Sequence, residues 1–182
     1  MADKAKLETY LVKLQEGQID FFDALYYESY KEIYYYILSI IKDKNLAEDI
    51  LQDTYMKILK NVNSYKRNTN SFAWMITIAR NHTINIYHKR KKEMLMFNEK
   101  VVIDELEHQQ PVLDGPLTQM MIETLNQQEL EVVNLHLINQ MTYKEISKIL
   151  NRPLGTVLWI YHKAIKKLKE KIGDNNEENR FN

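Results

Sequence analysis

Hydrophobic positions in the first half of the chain recur at the three- and four-residue spacing of an amphipathic helix. One apolar face runs through residues 22–41, and a second through 46–59 after Asn45, whose spacing to Glu48 is like that of a capping box. A polar stretch, NVNSYKRNTNS, separates this run from a third over 72–92. The pattern predicts three or four helices packed as one unit.

The second half of the chain has the same periodicity in shorter runs. It predicts helices over 117–125, 129–139, 142–150 and 154–172. Thr142 and Glu145 form a strict capping-box pattern, and Asn151-Arg152-Pro153 ends the helix that starts there. Two short helices with a tight turn between them, the second long and basic, are typical of a helix-turn-helix.

The predicted elements define an all-α protein of two small helical domains. The first occupies 1–92, and a flexible acidic linker that ends in QQPVLDGP occupies 93–115. The second domain, 116–173, contains the helix-turn-helix, and the polar stretch 174–182 is predicted to be disordered. With only 4 Gly and 3 Pro among 182 residues, most of the chain is expected to be helix.

Composition excludes several classes of site. The chain has no Cys, so disulfides, thiolate nucleophiles and Cys-based zinc sites are excluded, and the 5 His are scattered without a ligand spacing. We therefore expect no metal and no cofactor. There is no run of eighteen apolar residues and no apolar segment after the first lysines, which predicts a cytoplasmic protein without membrane insertion.

Charge is distributed in blocks although the formal net charge is zero. Residues 56–92 carry nine Lys or Arg and no acid, and residues 132–172 carry a net charge of +6. Between them, residues 93–131 carry a net charge of −8. Two basic blocks separated by an acidic one indicate two separate contacts with a polyanion.

The second basic block lies on the last predicted helix. Val157, Tyr161, Ala164 and Leu168 share one face, which we expect to pack inward. The remaining positions would face outward, where a helix fits a major groove and lysines reach phosphates: Thr156, Leu158, Trp159, His162, Lys163, Lys166 and Lys167. The alternative is an ordinary helical hairpin with a solvated basic face.

The first basic block combines cations with aromatic and amide side chains. Its members are Lys66, Arg67, Arg80, Lys89, Arg90, Lys91 and Lys92, with Tyr65, Phe72, Trp74 and Tyr87, and Asn63, Asn68, Asn70 and Asn81. This composition is typical of a protein that binds unstacked bases. The aromatic side chains could instead belong to the core. This is the preferred interpretation for Trp74, which lies on the apolar face of the helix predicted over 72–92. A helix lying on a membrane surface is a third reading, disfavoured because the cations cluster at one end.

The second predicted helix carries an exposed stripe of Asp49, Gln52 and Asp53. Carboxylates and an amide at helical spacing suit a basic protein partner. Paired carboxylates also occur in acid-base catalysis and metal binding, but no further His, Lys or acid converges from nearby sequence. A binding role is therefore the preferred interpretation.

Three stretches, in the usual order and covering 22–172, resemble bacterial RNA polymerase sigma factors of the extracytoplasmic-function group. LAEDILQDTYMKIL resembles region 2.1–2.2 of that family, and FAWMITIARNHTINIYHKRKK resembles region 2.3–2.4. The third, MTYKEISKILNRPLGTVLWIYHKAIKKLKEKI, resembles region 4.2. The resemblance implies a subunit that gives core polymerase its promoter choice, and not an enzyme.

The resemblance also implies roles for particular residues. Asp49, Gln52 and Asp53 would dock on the coiled coil of the largest polymerase subunit, and helices around 130–137 would rest on the flap. A flipped base of the minus-ten element would be held by the 63–70 segment with Asn81, near backbone-binding cations. The implied minus-ten set is Asn63, Tyr65, Lys66, Arg67, Asn68, Asn70, Arg80, Asn81, His88, Lys89, Arg90, Lys91 and Lys92. The implied minus-thirty-five set is Arg152, Thr156, Leu158, Trp159, His162, Lys163, Lys166 and Lys167.

The chain departs from the family pattern in the last helix. Leu158-Trp159-Ile160 stands where members usually have Lys-Ser-Arg, and Ile165 replaces a later base. Trp159 or Leu158 would then contact thymine methyl groups, or would be covered by an anti-sigma factor or another polymerase surface. Asn85 also replaces an acid usual in region 2.4, which argues against a salt bridge at that position.

Two other classes of protein compete with the sigma-factor interpretation. A free-standing helix-turn-helix regulator would bind duplex operator DNA by itself, usually as a dimer, but leaves the first 92 residues without a role. A protein–protein adaptor would use its basic faces for acidic partners, but does not require both DNA-like blocks in this order.

Overall fold

The computed structural model describes residues 3–96 and 116–178. The chain divides into two compact units, Met1–Pro111 and Val112–Asn182. Every regular element in the described ranges is helical, as the sequence predicts. The predicted acidic linker lies outside the described residues except for 93–96, which continue a helix of the first unit.

The first unit contains four α-helices and a short 3₁₀ turn. They are α1 (Lys4–Gln15), α2 (Phe21–Ile41), α3 (Lys44–Asn61), the 3₁₀ turn Val62–Ser64 and α4 (Ser71–Met96). Helix α2 packs against each of the other three, so its apolar residues form the centre of the core. Leu25, Ile33 and Ile37 are fully buried there, and the buried Ser29 hydroxyl lies 2.7 Å from the Tyr55 hydroxyl.

Helix α1 was not among the predicted elements. Asp3 caps it by accepting a hydrogen bond from the amide of Ala5, 3.0 Å away, and Leu7, Leu11 and Leu14 bury one face. The four- and three-residue spacing of these leucines was the sequence signal for this helix. It completes the four-helix form of the unit.

The predicted cap of α3 at Asn45 is wrong. Asp43 occupies the cap position with extended backbone, and its carboxylate accepts a hydrogen bond from the amide of Leu46 at 3.1 Å. A carboxylate is a strong N-cap, and the C-cap of α2, Lys42 with φ 58°, comes directly before it. Asn45 is consequently an exposed residue of the first turn.

The second unit contains α5 (Pro116–Thr124), α6 (Gln127–Val133), a π-helical turn (Asn134–Ile138), α7 (Tyr143–Leu150) and α8 (Leu154–Glu178). The π turn replaces the end of the helix predicted over 129–139. Within this turn, the Nδ1 atom of His136 lies 2.8 Å from the carbonyl oxygen of Met141, and the His136 ring stacks on Tyr143. A core of Met121, Leu130, Val133, Ala164 and Leu168 joins α5, α6 and α8.

Helices α7 and α8 form the predicted helix-turn-helix. The Thr142 capping box is confirmed, with both reciprocal hydrogen bonds to Glu145 present. Asn151 ends α7 in the left-handed conformation at φ 50°. Helix α8 continues to Glu178, past the predicted end of the second domain at 173, since no proline interrupts it. Residues 179–182 lie outside the described range.

Candidate polymerase and nucleic-acid interfaces

The stripe on α3 is exposed as predicted. Asp49, Gln52 and Asp53 all face solvent, while Ile50 and Ile58 bury the opposite side of the helix. Met56 extends the stripe by one turn and is 64% exposed. An exposed methionine beside carboxylates gives this surface an adaptable apolar centre, which suits a protein partner.

Asp53 also contacts the neighbouring helix. Its Oδ2 atom lies 3.4 Å from Nε2 of His82 on α4, which is long for a hydrogen bond. Burial and the charge of Lys57 lower the pKa of His82, and Asp53 opposes them only in part. The imidazole is therefore neutral at pH 7, and the contact is not a full ion pair.

A cleft of about 480 Å³ lies between the end of α3, the 3₁₀ turn and α4. Its walls combine one indole ring, three amide side chains and two lysines, which suits a flat, polar-edged, anionic ligand such as a nucleotide. The lining residues are Lys57, Lys60, Asn61, Ser64, Trp74, Ile78, Asn81, His82 and Asn85.

Of these lining residues, only Asn81 belongs to the predicted minus-ten set. The others were missed because the cleft arises where α3 packs on α4, and helical periodicity within one segment carries no information about that juxtaposition. The nearest signal was the location of Lys57 and Lys60 inside the acid-free segment 56–92.

The two aromatic residues at the cleft, Trp74 and Tyr65, differ from expectation in opposite directions. Trp74 is half-buried and lines the cleft, so its assignment to the core is wrong. Tyr65 was expected to face nucleic acid but is only 3% exposed. Its hydroxyl donates to Glu8 and its ring lies 5.4 Å from that of Trp74, so it supports the cleft wall from behind.

The segment between α3 and α4 presents some of its predicted residues and uses others internally. Asn63, Lys66 and Asn68 are exposed. Arg67 is exposed as well, and it also pairs with Glu16 on α1 at 3.6 Å. The Asn70 side-chain oxygen accepts a hydrogen bond from the amide of Ala73 at 2.9 Å, so it serves the start of α4.

The basic end of α4 is mostly open to solvent. His88, Lys89, Lys91 and Lys92 are exposed, and Lys89 makes a weak 3.9 Å contact with Glu93. Arg90 differs, since its guanidinium lies 3.4 Å from the Asp43 carboxylate that caps α3. Arg80, which directly precedes Asn81 on α4, is half-buried and already has an interaction partner.

In the second unit, α8 buries the predicted face. Val157, Ala164 and Leu168 lie inside, and Ile160, one of the three unusual residues, joins them at 4% exposure. Trp159 instead points outward and is 62% exposed, with the Lys163 ammonium 5.0 Å from the centre of its ring. The unusual tripeptide therefore contributes one core residue and one exposed aromatic.

Two lysines predicted to reach DNA also contact a buried carboxylate of the second unit. Lys167 lies 2.8 Å and Lys163 3.8 Å from the carboxylate of Glu129, which is 2% exposed. Burial alone would raise the pKa of Glu129, but the hydrogen bonds from Lys167 and from the Asn126 amide, with both lysine charges, lower it overall. Glu129 stays ionised at pH 7 and holds Lys167 in a close ion pair, whereas Lys163 is exposed and makes only the longer contact.

The other residues of the predicted minus-thirty-five set are exposed or lie at the edge of the exposed face, as expected. His162 and Lys166 are exposed, and Lys166 makes a weak 3.8 Å contact with Glu170. Thr156 and Leu158 are half-buried at the edge of the same face. Arg152 precedes α8 and reaches Gln128 at 3.4 Å.

The described residues contain no group of three or more His, Asp or Glu side chains placed to hold a metal ion. Within 3–96 and 116–178, no helix is both long and apolar enough to cross a bilayer.

Comparison with known proteins identifies the two units. Residues 25–93 match the family described as Sigma-70 region 2, and residues 121–170 match Sigma-70, region 4. The sigma factor SigM of Bacillus subtilis is 29% identical over 153 residues, covering 81% of this chain and 92% of its own. YlaC of the same organism is 27% identical over 170 residues, covering 89% of this chain and 98% of its own.

Solved structures share the fold. RpoE of Bartonella quintana, in complex with the anti-sigma factor NepR, has a TM-score of 0.66 at 21% identity and covers 85% of this chain and 98% of its own. CnrH, in complex with the cytosolic domain of CnrY, has a TM-score of 0.67 at 16% identity, covering 93% and 98%.

The chain belongs to the sigma-70 family of RNA polymerase sigma factors, within its extracytoplasmic-function group. Proteins of this class bind core RNA polymerase and direct it to promoters, and they are transcription initiation factors rather than enzymes. The first unit contains the region 2 match and the second the region 4 match.

Proposed function

We propose that this sigma factor divides promoter recognition between two chemically different surfaces. The first unit, with the predicted bounds 1–92, binds core polymerase and captures a base of the minus-ten element. The second, 116–173, reads the minus-thirty-five element, and the acidic segment 93–115 joins the two. The observation that carries the proposal is the cleft beside Trp74 and Asn81, since it offers an aromatic face, amides and cations together.

Core polymerase docks on the α3 stripe. Asp49, Gln52 and Asp53 contact the coiled coil of its largest subunit, and the exposed Met56 fills the apolar part of that contact. Of the two carboxylates, Asp49 is the cleaner probe because Asp53 also contacts His82. The 130–137 segment of the second unit rests on the flap.

The cleft holds a base of the non-template strand after it leaves the stack. Trp74 provides a stacking face, and Asn81, which is exposed at the rim, donates to and accepts from the base edge. Capture offsets the cost of unstacking, so melting and recognition occur together. Around it, Asn63, Lys66, Arg67, Asn68 and the cations of α4 lie along the parted strands.

The exposed face of α8 enters the major groove at the minus-thirty-five element. Because Lys163 and Lys167 are paired with Glu129, this face offers fewer free cations than its sequence indicates. Trp159 contacts thymine methyl groups, while His162 and Lys166 remain available for phosphates. The protein acts in the cytoplasm without a cofactor, and an anti-sigma factor that covers the DNA-binding faces is a further expected partner.

Reconstituted transcription tests this function. The full chain is mixed with core polymerase of its own organism and a library of promoter templates, and sequence-specific transcripts are expected. Asp49→Ala together with Gln52→Ala should abolish polymerase binding and transcription without changing helical content, whereas Asp23→Ala, on the exposed start of α2, should change neither.

Binding to duplex sites without polymerase, with no transcripts from any template, would favour the free-standing regulator instead. Loss of helical content in the Asp49→Ala, Gln52→Ala variant would show that the stripe stabilises the fold and is not a docking surface.

A further inference from the structure

Helix α1 holds the connecting loop, residues 62–70, through side chains that point across to it. Gln15 donates from one Nε2 atom to two carbonyl oxygens, those of Val62 at 2.9 Å and Tyr65 at 2.8 Å. A single amide thereby fixes both ends of the turn that leads from α3 into the loop. The pairing spans 47 to 50 residues of sequence, so it is a specific tertiary contact.

Glu8, two turns earlier on α1, fixes the middle of the loop. One carboxylate oxygen accepts a hydrogen bond from the amide of Asn68 at 2.9 Å, and the other accepts from the hydroxyl of Tyr65. Asn68 is in the left-handed region at φ 61°, which costs a non-glycine residue some energy and persists only when neighbouring contacts hold it. Glu8 provides that contact.

The same helix orients a cation of the loop. Arg67 donates from Nε to the Gln15 oxygen at 3.0 Å, and its Nη2 atom lies 3.6 Å from Glu16. At the loop's end, the Ser71 hydroxyl donates to the carbonyl oxygen of Lys4 at 3.1 Å. Contacts from α1 therefore follow the loop along its whole length.

The held loop is continuous with the cleft. Ser64, in the 3₁₀ turn, lines the cleft directly, and the Tyr65 ring lies against Trp74. We propose that α1 is a positioning element for minus-ten capture, in which Glu8 and Gln15 preset the loop and the cleft wall before DNA arrives. This proposal rests on the proposed function of the cleft. A preset loop loses less conformational freedom on binding, so more of the contact energy is available for discrimination.

The test uses holoenzyme made with the full chain and promoters that differ at single minus-ten bases. Gln15→Glu keeps the side-chain size but replaces two N–H donors by a carboxylate facing two carbonyl oxygens, and Glu8→Gln removes the charge and one acceptor. Each variant should reduce the preference for the best minus-ten base by roughly two- to tenfold, the effect of ordering one or two side chains. Thr9→Ala is the matched control, because Thr9 is exposed on the same helix and its hydroxyl donates to the carbonyl oxygen of Ala5 within that helix.

The proposal is overturned if the preference among minus-ten bases is unchanged in both variants. A drop in transcription that is equal on every template counts as this result, because damage to the fold would lower activity without changing base preference. Polymerase binding and the minus-thirty-five preference are measured in parallel and should stay at the wild-type level. If the wild-type holoenzyme itself has no minus-ten preference, the proposed function of the cleft fails, and the two failures are therefore distinguishable.

Discussion

The basic blocks of the two units carry net charges of +9 and +6, and they use this charge differently. In the first, most cations of the loop and of α4 face solvent, and the two lysines of the cleft flank an indole ring. In the second, a buried carboxylate pairs closely with Lys167 and contacts the exposed Lys163, and an aromatic side chain, Trp159, faces solvent. Counting charges along a sequence therefore gives an upper bound on the contacts a surface can make with phosphates.

The comparison indicates two modes of reading DNA. A cleft with amides and an aromatic wall suits a single unstacked base, whereas an exposed indole on a helix suits the methyl groups of a duplex groove. If the two modes are separate, a substitution in one unit should impair recognition of one promoter element and leave the other unchanged. A substitution that impairs both would contradict this division.

The largest effect is expected at Trp74. Trp74→Ala should lower open-complex formation by about ten- to a hundredfold, because stacking of a base on an aromatic ring contributes about 1–3 kcal/mol. Trp74→Phe keeps a stacking face and should recover most of the activity. The measurement is fluorescence of 2-aminopurine placed in the minus-ten element. Equal activity of the alanine and wild-type proteins would remove the cleft from the melting step.

A smaller effect is expected at Glu129. Glu129→Gln keeps an acceptor for the Asn126 amide but releases both lysines, and should destabilise the second unit by about 1–2 kcal/mol. The chain has 2 Trp, one in each unit, so denaturant unfolding followed by Trp159 fluorescence in a Trp74→Phe background reports on the second unit.

The same variant tests whether the paired lysines are withheld from DNA. Once free, they should make the salt dependence of minus-thirty-five binding steeper by up to about 2 in the slope of log affinity against log salt. An unchanged slope would mean that Lys163 and Lys167 already reach phosphates in the complex, which would contradict the contrast between the two units.

The contribution of Trp159 should be smaller again. A thymine methyl removed from water contributes about 0.8 kcal/mol, so Trp159→Ala should weaken minus-thirty-five recognition about fourfold. Replacing the contacted thymine by uracil should cause the same loss in the wild type and no further loss in the variant. Ile172→Ala, exposed on the same helix, is the control. Additive losses from the two changes would show that Trp159 contacts something other than the methyl group.

The smallest effects concern pH. The pKa of His82 lies below its ordinary value of 6.5, so the folded first unit binds fewer protons than the unfolded one and loses stability as pH falls below about 6.5. The pKa of Glu129 is also lowered, so the stabilisation that this carboxylate gives the second unit is complete above the ordinary pKa of a carboxyl group. It declines only as pH falls through the lowered pKa of the folded protein.

Acidification should therefore weaken the first unit before the second. Unfolding followed separately through Trp74 and Trp159, each in a background where the other is Phe, measures the order. Simultaneous weakening of both units near pH 6 would show that neither group controls the acid response.

Local pattern predicted much of the fold because its signals lie within single segments. Periodicity located α2, α3 and α4, and the Thr142 capping box located α7 to the residue. Failures arose where neighbouring candidates competed, as when Asp43 rather than Asn45 capped α3. Helix α1 was missed although Leu7, Leu11 and Leu14 carried its signal.

The candidate sites were predicted less completely, for a physical reason. The α3 stripe and the exposure of Trp159 follow from helical geometry alone. The cleft depends on which faces of α3 and α4 meet, and the pairing of Lys167 with Glu129 joins residues 38 positions apart. Such tertiary contacts leave no periodic trace in the sequence, so the burial of Tyr65 and the contacts of the two lysines with Glu129 could not be predicted.

The most direct test of the division between the units is a base-preference profile of both promoter elements, measured with one set of holoenzymes. Templates carry every single-base change at minus-ten and at minus-thirty-five, and the proteins are wild type, Asn81→Ala, Trp159→Ala and the exposed control Asn45→Ala. We expect Asn81→Ala to flatten only the minus-ten profile, Trp159→Ala to flatten only the minus-thirty-five profile, and Asn45→Ala to alter neither. Flattening of both profiles by either variant, or of neither profile by both, would contradict the division.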